Sequence, residues 1–219
     1  MPKTEMSEDG FRAEVQVGPD HYQHRYEPAD RWANYGVQVG SVLKCQPSRV
    51  LEIGLGNGTV TAVLRSRGID VTTCDLDPAL KPDLVGSVHE LGRCVAPKSF
   101  DVVLCAQVLE HLPFDLLAPC CRQLGEAART HVILGLPCCP RLSRVSLELR
   151  LPRLGLYRLA LGSCRRPRWK GDPEHHWCVD HLPYTYDRVV ARIREALTIG
   201  EVIREPVDPF HVTFVCRPR

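Results

Sequence analysis

The chain predicts an α/β fold: a doubly wound, mostly parallel sheet with helices on both faces. Three observations carry that expectation. Apolar runs of strand length alternate with segments of helical periodicity from about residue 28 to residue 137, the pattern of parallel strands joined by crossover helices. The run Val50-Leu51-Glu52-Ile53 is nearly continuous in apolar side chains and empties into glycines at 54, 56 and 58, as a strand covered on both faces does before a tight turn. Asp75 closes the next strand-like run, Ile69 to Cys74, where a carboxylate stands at the carboxyl end of its strand.

The elements follow in order. Residues 1–27 are polar and form an N-terminal segment. His21, Tyr22, His24 and Tyr26 within it either fold over a site as a lid or simply pack. Pro28 opens a helix with Trp32, Tyr35, Val39, Val42 and Leu43 on one face, and Pro47 stops it. After the first strand comes a helix from about Thr59 to Arg67, whose unpaired N–H groups favour an anionic group at its start. Ser99 to Cys105 and His131 to Pro137 read as further strands, with a helix marked by Phe114, Leu117, Cys121, Leu124 and Ala128 between them. Val189, Val190, Ile193 and Leu197 mark the last helix. Glu201 to Arg204 and His211 to Val215 are the last two strands.

Composition bounds the rest. At 219 residues, 44% hydrophobic and 25% charged, one domain over residues 28–219 is expected, with a core large enough to need no staples. The net charge of +2 gives no global pull toward nucleic acid or membrane. Eleven cysteines, an odd number, behind a polar start (MPKTEMSEDG) imply free thiols in a reducing cytoplasm rather than a disulfide framework. The pairs Cys120-Cys121 and Cys138-Cys139, and the run His175-His176-Trp177-Cys178-Val179-Asp180-His181, lack a recognised ligand spacing, so no metal is expected. A long insert at about 138–183 interrupts the alternation. Residues 141–170 hold nine Arg or Lys against Glu148 alone, +8 in a chain of +2, which leaves −6 elsewhere. Val145, Leu147, Leu149 and Leu151 alternate with polar residues, as in an exposed strand or arm. The insert is either a solvated Arg-rich cap or a lid that holds an anionic acceptor or leans on an anionic membrane surface, with Leu151, Leu154, Leu156, Leu159 and Leu161 touching acyl chains.

The glycines discriminate among cofactors. A dinucleotide fingerprint needs G-x-G-x-x-G, and Thr59 stands where its third glycine belongs; no Gly-Lys-Ser/Thr follows, which excludes a P-loop. The combination Glu52-x-Gly54-x-Gly56-x-Gly58, Asp75 seventeen residues later, Ser99-Phe100-Asp101-Val102-Val103 and Val108-Leu109-Glu110-His111-Leu112 resembles the class I S-adenosylmethionine-dependent methyltransferases. The similarity is to members with a type 11-like methyltransferase domain, among them bacterial proteins that carry a later G-x-x-E-H-x-W, here Gly171 to Trp177.

That resemblance implies a Rossmann-like sheet of seven strands, the last antiparallel, and S-adenosyl-L-methionine as cofactor. It places Glu52, Gly54, Leu55, Gly56, Asn57 and Gly58 near the methionine end, Asp75 on ribose, and Leu76 over the adenine. Ser87 and Val88 stand where many members carry an acidic residue for the adenine amino group. Backbone around Cys105, Ala106 and Gln107 lines the methionine side. His111, His175 and His176 are the candidate catalytic groups, each with helix-start or loop packing as the alternative, and Trp177 is either a wall of the acceptor pocket or a loop anchor. The implied reaction is methyl transfer to a small-molecule, lipid or glycan-type acceptor by in-line displacement. A non-catalytic cofactor-binding module and a nucleic-acid methyltransferase using the basic insert are the alternatives. The latter lacks the Asn/Asp-Pro-Pro-Tyr/Phe motif, with Ala106-Gln107-Val108-Leu109 in its place.

Overall fold

The computed structural model describes residues 11–22, 28–138, 145–151, 155–161, 167–171, 174–204 and 208–219. His24, Tyr26 and Leu154 of the expectations above lie outside them. Strands β1 (Arg49–Ile53), β2 (Asp70–Asp75), β3 (Leu84–Val85), β4 (Phe100–Ala106), β5 (Ala128–Pro137), β8 (Leu197–Ile203) and β9 (His211–Pro218) form one sheet. Its order is β3-β2-β1-β4-β5-β9-β8. β1 pairs in parallel with β2 and β4, β2 with β3, and β4 with β5, while β9 runs antiparallel to both β5 and β8. The expected doubly wound sheet of seven strands with one reversed strand is therefore present.

Helices α1 (Ala29–Lys44) and α2 (Thr59–Ser66) cover one face; α3 (Leu117–Ala127) and α4 (Tyr186–Arg194) cover the other. Side chains of a strand alternate between faces, and the two apolar clusters divide accordingly. Val50, Val102, Leu104 and Ile133 pack with Val42, Val60 and Leu64 on the first face. Leu51, Ile53, Val103, Cys105, Val132 and Leu134 pack with Leu117, Cys121, Leu124, Val189 and Ile193 on the second. The cysteines of these strands, among them Cys74, Cys105 and Cys216, are small buried hydrophobes with free thiols.

Local chemistry sets the ends. α2 begins at Gly58, whose φ of 74° is left-handed; the Thr185 side chain accepts from the Arg188 N–H to start α4. At the sheet edge β3 is two residues long: only Leu84 and Val85 pair with Cys74 and Asp75. Two expectations change. Ala128, read as helical, opens β5, because pairing with Phe100 of β4 draws it into the sheet. Leu197, read as helical, opens β8: α4 ends at Arg194, and pairing with β9 draws the chain into extended form while Leu197 stays buried. In the insert, β6 (Val145–Leu151) and β7 (Gly155–Leu161) form a separate antiparallel pair. Among the described residues no helix is long and apolar enough to cross a membrane.

Candidate functional site

β1 leaves the sheet between β2 and β4, where strand order reverses, so its carboxyl end opens into a crevice. Gly54 turns the chain there with φ 83°, and its N–H donates to the Cys74 carbonyl at 2.9 Å. A side chain at this glycine would force its surroundings to shift, because a Cβ would lie 2.4 Å from Val108 Cγ2. Two residues on, a Cβ at Gly56 would meet only the Tyr22 ring at 3.8 Å. The bend thus presents bare main chain to a cavity of about 190 Å³.

Asp75 faces the same cavity from the end of β2. Its Oδ2 accepts the Leu55 N–H at 2.7 Å and its Oδ1 the Asp77 N–H at 2.9 Å. The carboxylate therefore ties the glycine bend to the exit of β2 and keeps lone pairs on both oxygens. Glu52 is 5% exposed, and the Thr61 hydroxyl donates to its Oε2. Burial outweighs that hydrogen bond and raises its pKa to about 7. From β4 come Ala106 and Gln107; the latter has φ 56°, donates its backbone N–H to the Gly135 carbonyl, and holds a buried Nε2 without a hydrogen-bond partner.

Leu55, Asn57, Leu76, Ser87, Val88 and His111 complete the sequence-derived residues on the wall. The Ser87 hydroxyl is 2.6 Å from His89 Nδ1. Four named residues do not line the cavity. Gly58 stands behind the bend at the start of α2, and the Cys105 side chain lies in the core, 1% exposed, because strand parity sends it to the helix-covered face. His175 and His176 lie beyond the wall, although the His175 ring meets His111 edge-on with centroids 4.9 Å apart. The His176 N–H donates to the Glu110 carbonyl at 2.8 Å, and burial lowers the pKa of its imidazole. Trp177 is an anchor rather than a pocket wall. It is fully buried against Phe114 and Tyr184 and donates Nε1–H to the Leu112 carbonyl at 3.0 Å.

Glu110, between the cavity and this loop, is completely buried, and burial raises its pKa to about 8. His111 Nδ1 lies 2.8 Å from the Glu174 carbonyl and 2.6 Å from Gln16 Oε1.

Sequence reasoning missed two parts of the wall. Residues 13–17 form one side, and Arg31, Asn34, Tyr35 and Gln38 of α1 form another. A signal existed for the helix: polar residues at 31, 34 and 38 recur at helical spacing, and Asn34 and Gln38 are buried and joined by a 3.1 Å hydrogen bond. The strip at 13–17 has no comparable pattern.

Comparison with known proteins agrees with this geometry. Residues 51–129 match the family model of a methyltransferase domain. The chain is 35% identical over 80 residues to the ubiquinone biosynthesis O-methyltransferase of Pseudomonas aeruginosa, covering 30% of this chain and 34% of that protein. The enzyme of that name from Idiomarina loihiensis is 38% identical over 81 residues, covering 30% and 32%. The alignments thus span about a third of these curated relatives. Among solved structures, the N-methyltransferase NodS from Bradyrhizobium japonicum in complex with S-adenosylhomocysteine superposes with a TM-score of 0.57, covering 93% of this chain and 94% of that one at 15% identity. At that identity the likeness shows the fold.

Proposed function

We propose that this chain, whose residues 51–129 match a methyltransferase domain, transfers a methyl group from S-adenosylmethionine to a small-molecule acceptor. The observation that carries this reading is the convergence of Asp75 and the side-chain-free bend at Gly54–Gly56 on one cavity.

The residues present suit that cofactor. Asp75 offers two acceptor oxygens to the ribose hydroxyls from a carboxylate already fixed by two backbone donors. Gly56 leaves room for an amino-acid tail against the main chain, and Gln107 Nε2 is a buried donor suited to its carboxylate. Leu76, Ser87 and Val88 supply the adenine side. The cofactor's sulfonium supplies an electrophilic methyl group, so the protein's task is alignment and exclusion of water. His111, the candidate catalytic histidine on the wall, marks the acceptor side together with Leu112.

Titration calorimetry with S-adenosylmethionine and S-adenosylhomocysteine is expected to give 1:1 binding; no heat from either ligand would remove the reading. Asp75→Ala is expected to weaken binding by about 1.5–3 kcal/mol, the loss of hydrogen bonds to a charged acceptor. Unchanged affinity would show that Asp75 does not hold the ribose.

Glu52 adds a pH signature to the ligand-free protein. Its pKa rises from 4.5 in the unfolded chain to about 7 in the fold, so the folded state favours the protonated form. Its contribution to stability is full below pH 4.5 and is lost as pH climbs to about 7. Glu52→Gln, which keeps a partner for Thr61, is expected to flatten that part of the thermal-stability profile. An unchanged profile would show that Glu52 does not titrate in this window.

A further inference from the structure

Glu110 is a carboxyl group buried without a hydrogen-bonding side chain. It is 0% exposed, and neither oxygen has a hydrogen-bond partner. Burial of a carboxylate in that condition is costly unless something neutralises it. A proton alone is a poor remedy, since the resulting O–H would need an acceptor as well.

Two imidazoles stand beside it. One carboxylate oxygen of Glu110 and one nitrogen each of His111 and His175 lie within 4.8 Å of one another. The Glu174 carbonyl only accepts, so His111 Nδ1, 2.8 Å away, is the donor there and Nε2 is the nitrogen an ion would take. A backbone carbonyl on the far nitrogen is how metal-ligating histidines are oriented. A tetrahedral ion with bonds of 2.0–2.2 Å holds its ligands about 3.5 Å apart, a closure that small side-chain rotations achieve from the spacing seen.

We propose that Glu110, His111 and His175 bind a divalent first-row metal ion at the edge of the cavity. Two imidazole nitrogens and one carboxylate oxygen suit zinc and its neighbours and leave coordination positions open. Because His111 borders the cavity, an open position takes an oxygen of the acceptor. That last clause rests on the methyl-transfer reading; the metal site itself does not. A hydroxyl so bound loses its proton to solvent more readily. The oxygen–methyl bond then forms as the sulfur–methyl bond breaks, and the electron pair of the broken bond stays on sulfur.

The test is titration of the chelator-treated full chain with Co²⁺, followed by calorimetry and visible absorption. Expected is one ion per chain, with d–d absorption and no thiolate charge-transfer band. Glu110→Gln and His175→Ala should each weaken uptake by about 100-fold. Neither residue lines the cavity, so S-adenosylhomocysteine binding should persist in both. No stoichiometric uptake, a thiolate band, or full uptake by both variants would overturn the site. Should Glu110→Gln not fold, the partly exposed His175→Ala decides alone. Metal uptake without nucleoside binding sustains the site and strikes the methyl-transfer reading; the reverse strikes only the site.

Discussion

Trp177→Ala is expected to lower stability by about 3–5 kcal/mol, the range for truncating a fully buried tryptophan. The indole has no solvent exposure, packs edge-on against Phe114 at 5.4 Å, and occupies the Leu112 carbonyl through Nε1. Truncation leaves a cavity in the larger core and an orphaned carbonyl at the end of the segment that carries Glu110 and His111. Thermal unfolding should drop by roughly 6–20 °C for a chain of this size. Trp177→Phe retains most of the apolar contact and gives up the hydrogen bond, so its loss should be smaller, about 1–3 kcal/mol. Equal losses for the two variants would show that the hydrogen bond, not the packing, anchors the loop. A negligible loss for alanine would show that this loop is not part of the cooperative core.

Gly54→Ala is expected to cost about 2–5 kcal/mol and to abolish nucleoside binding. Left-handed φ at a residue bearing a side chain costs about 1–2 kcal/mol, and an overpacked position adds about 1–3. The added methyl would sit 2.4 Å from Val108 Cγ2 on the segment leaving β4, so the bend and the β4 exit must part. Val108→Ala in the same chain removes the collision and keeps the backbone strain. It should return part of the stability. A double variant no more stable than Gly54→Ala alone would show that strain dominates. Differential scanning calorimetry with and without S-adenosylhomocysteine separates the stability loss from the binding loss.

The sequence made the floor of the site readable and left its sides obscure, for physical reasons. Val50 to Ile53, the glycines and Asp75 are local signals: a buried strand, a turn that only glycine fits, and a carboxylate at a strand end. The pairing of β1 with β2 and β4 follows from them. His175 stands beside His111 across 64 residues of chain because Trp177, two residues further on, is bonded to the carbonyl of Leu112, next to His111, and no spacing rule encodes that. The proposed metal site likewise gathers Glu110, His111 and His175, which no spacing in the sequence links. Parity decides Cys105: one residue before the wall-forming Ala106, it points to the opposite face of the sheet. Arg31, Asn34 and Gln38 lie on α1, which reads as an apolar helix against the sheet, so their polar faces were overlooked.

Residues 13–17 enclose the pocket without belonging to the sheet. Gln16 rests on His111, and Phe11 meets the His89 ring edge-on at 5.5 Å. Detaching this strap breaks side-chain contacts and leaves every β-ladder intact. The floor of the pocket, held by β1 between β2 and β4, is therefore built independently of the wall that these five residues supply. Gln16 is the point where that wall and the β4 exit meet, through one contact of 2.6 Å to His111 Nδ1.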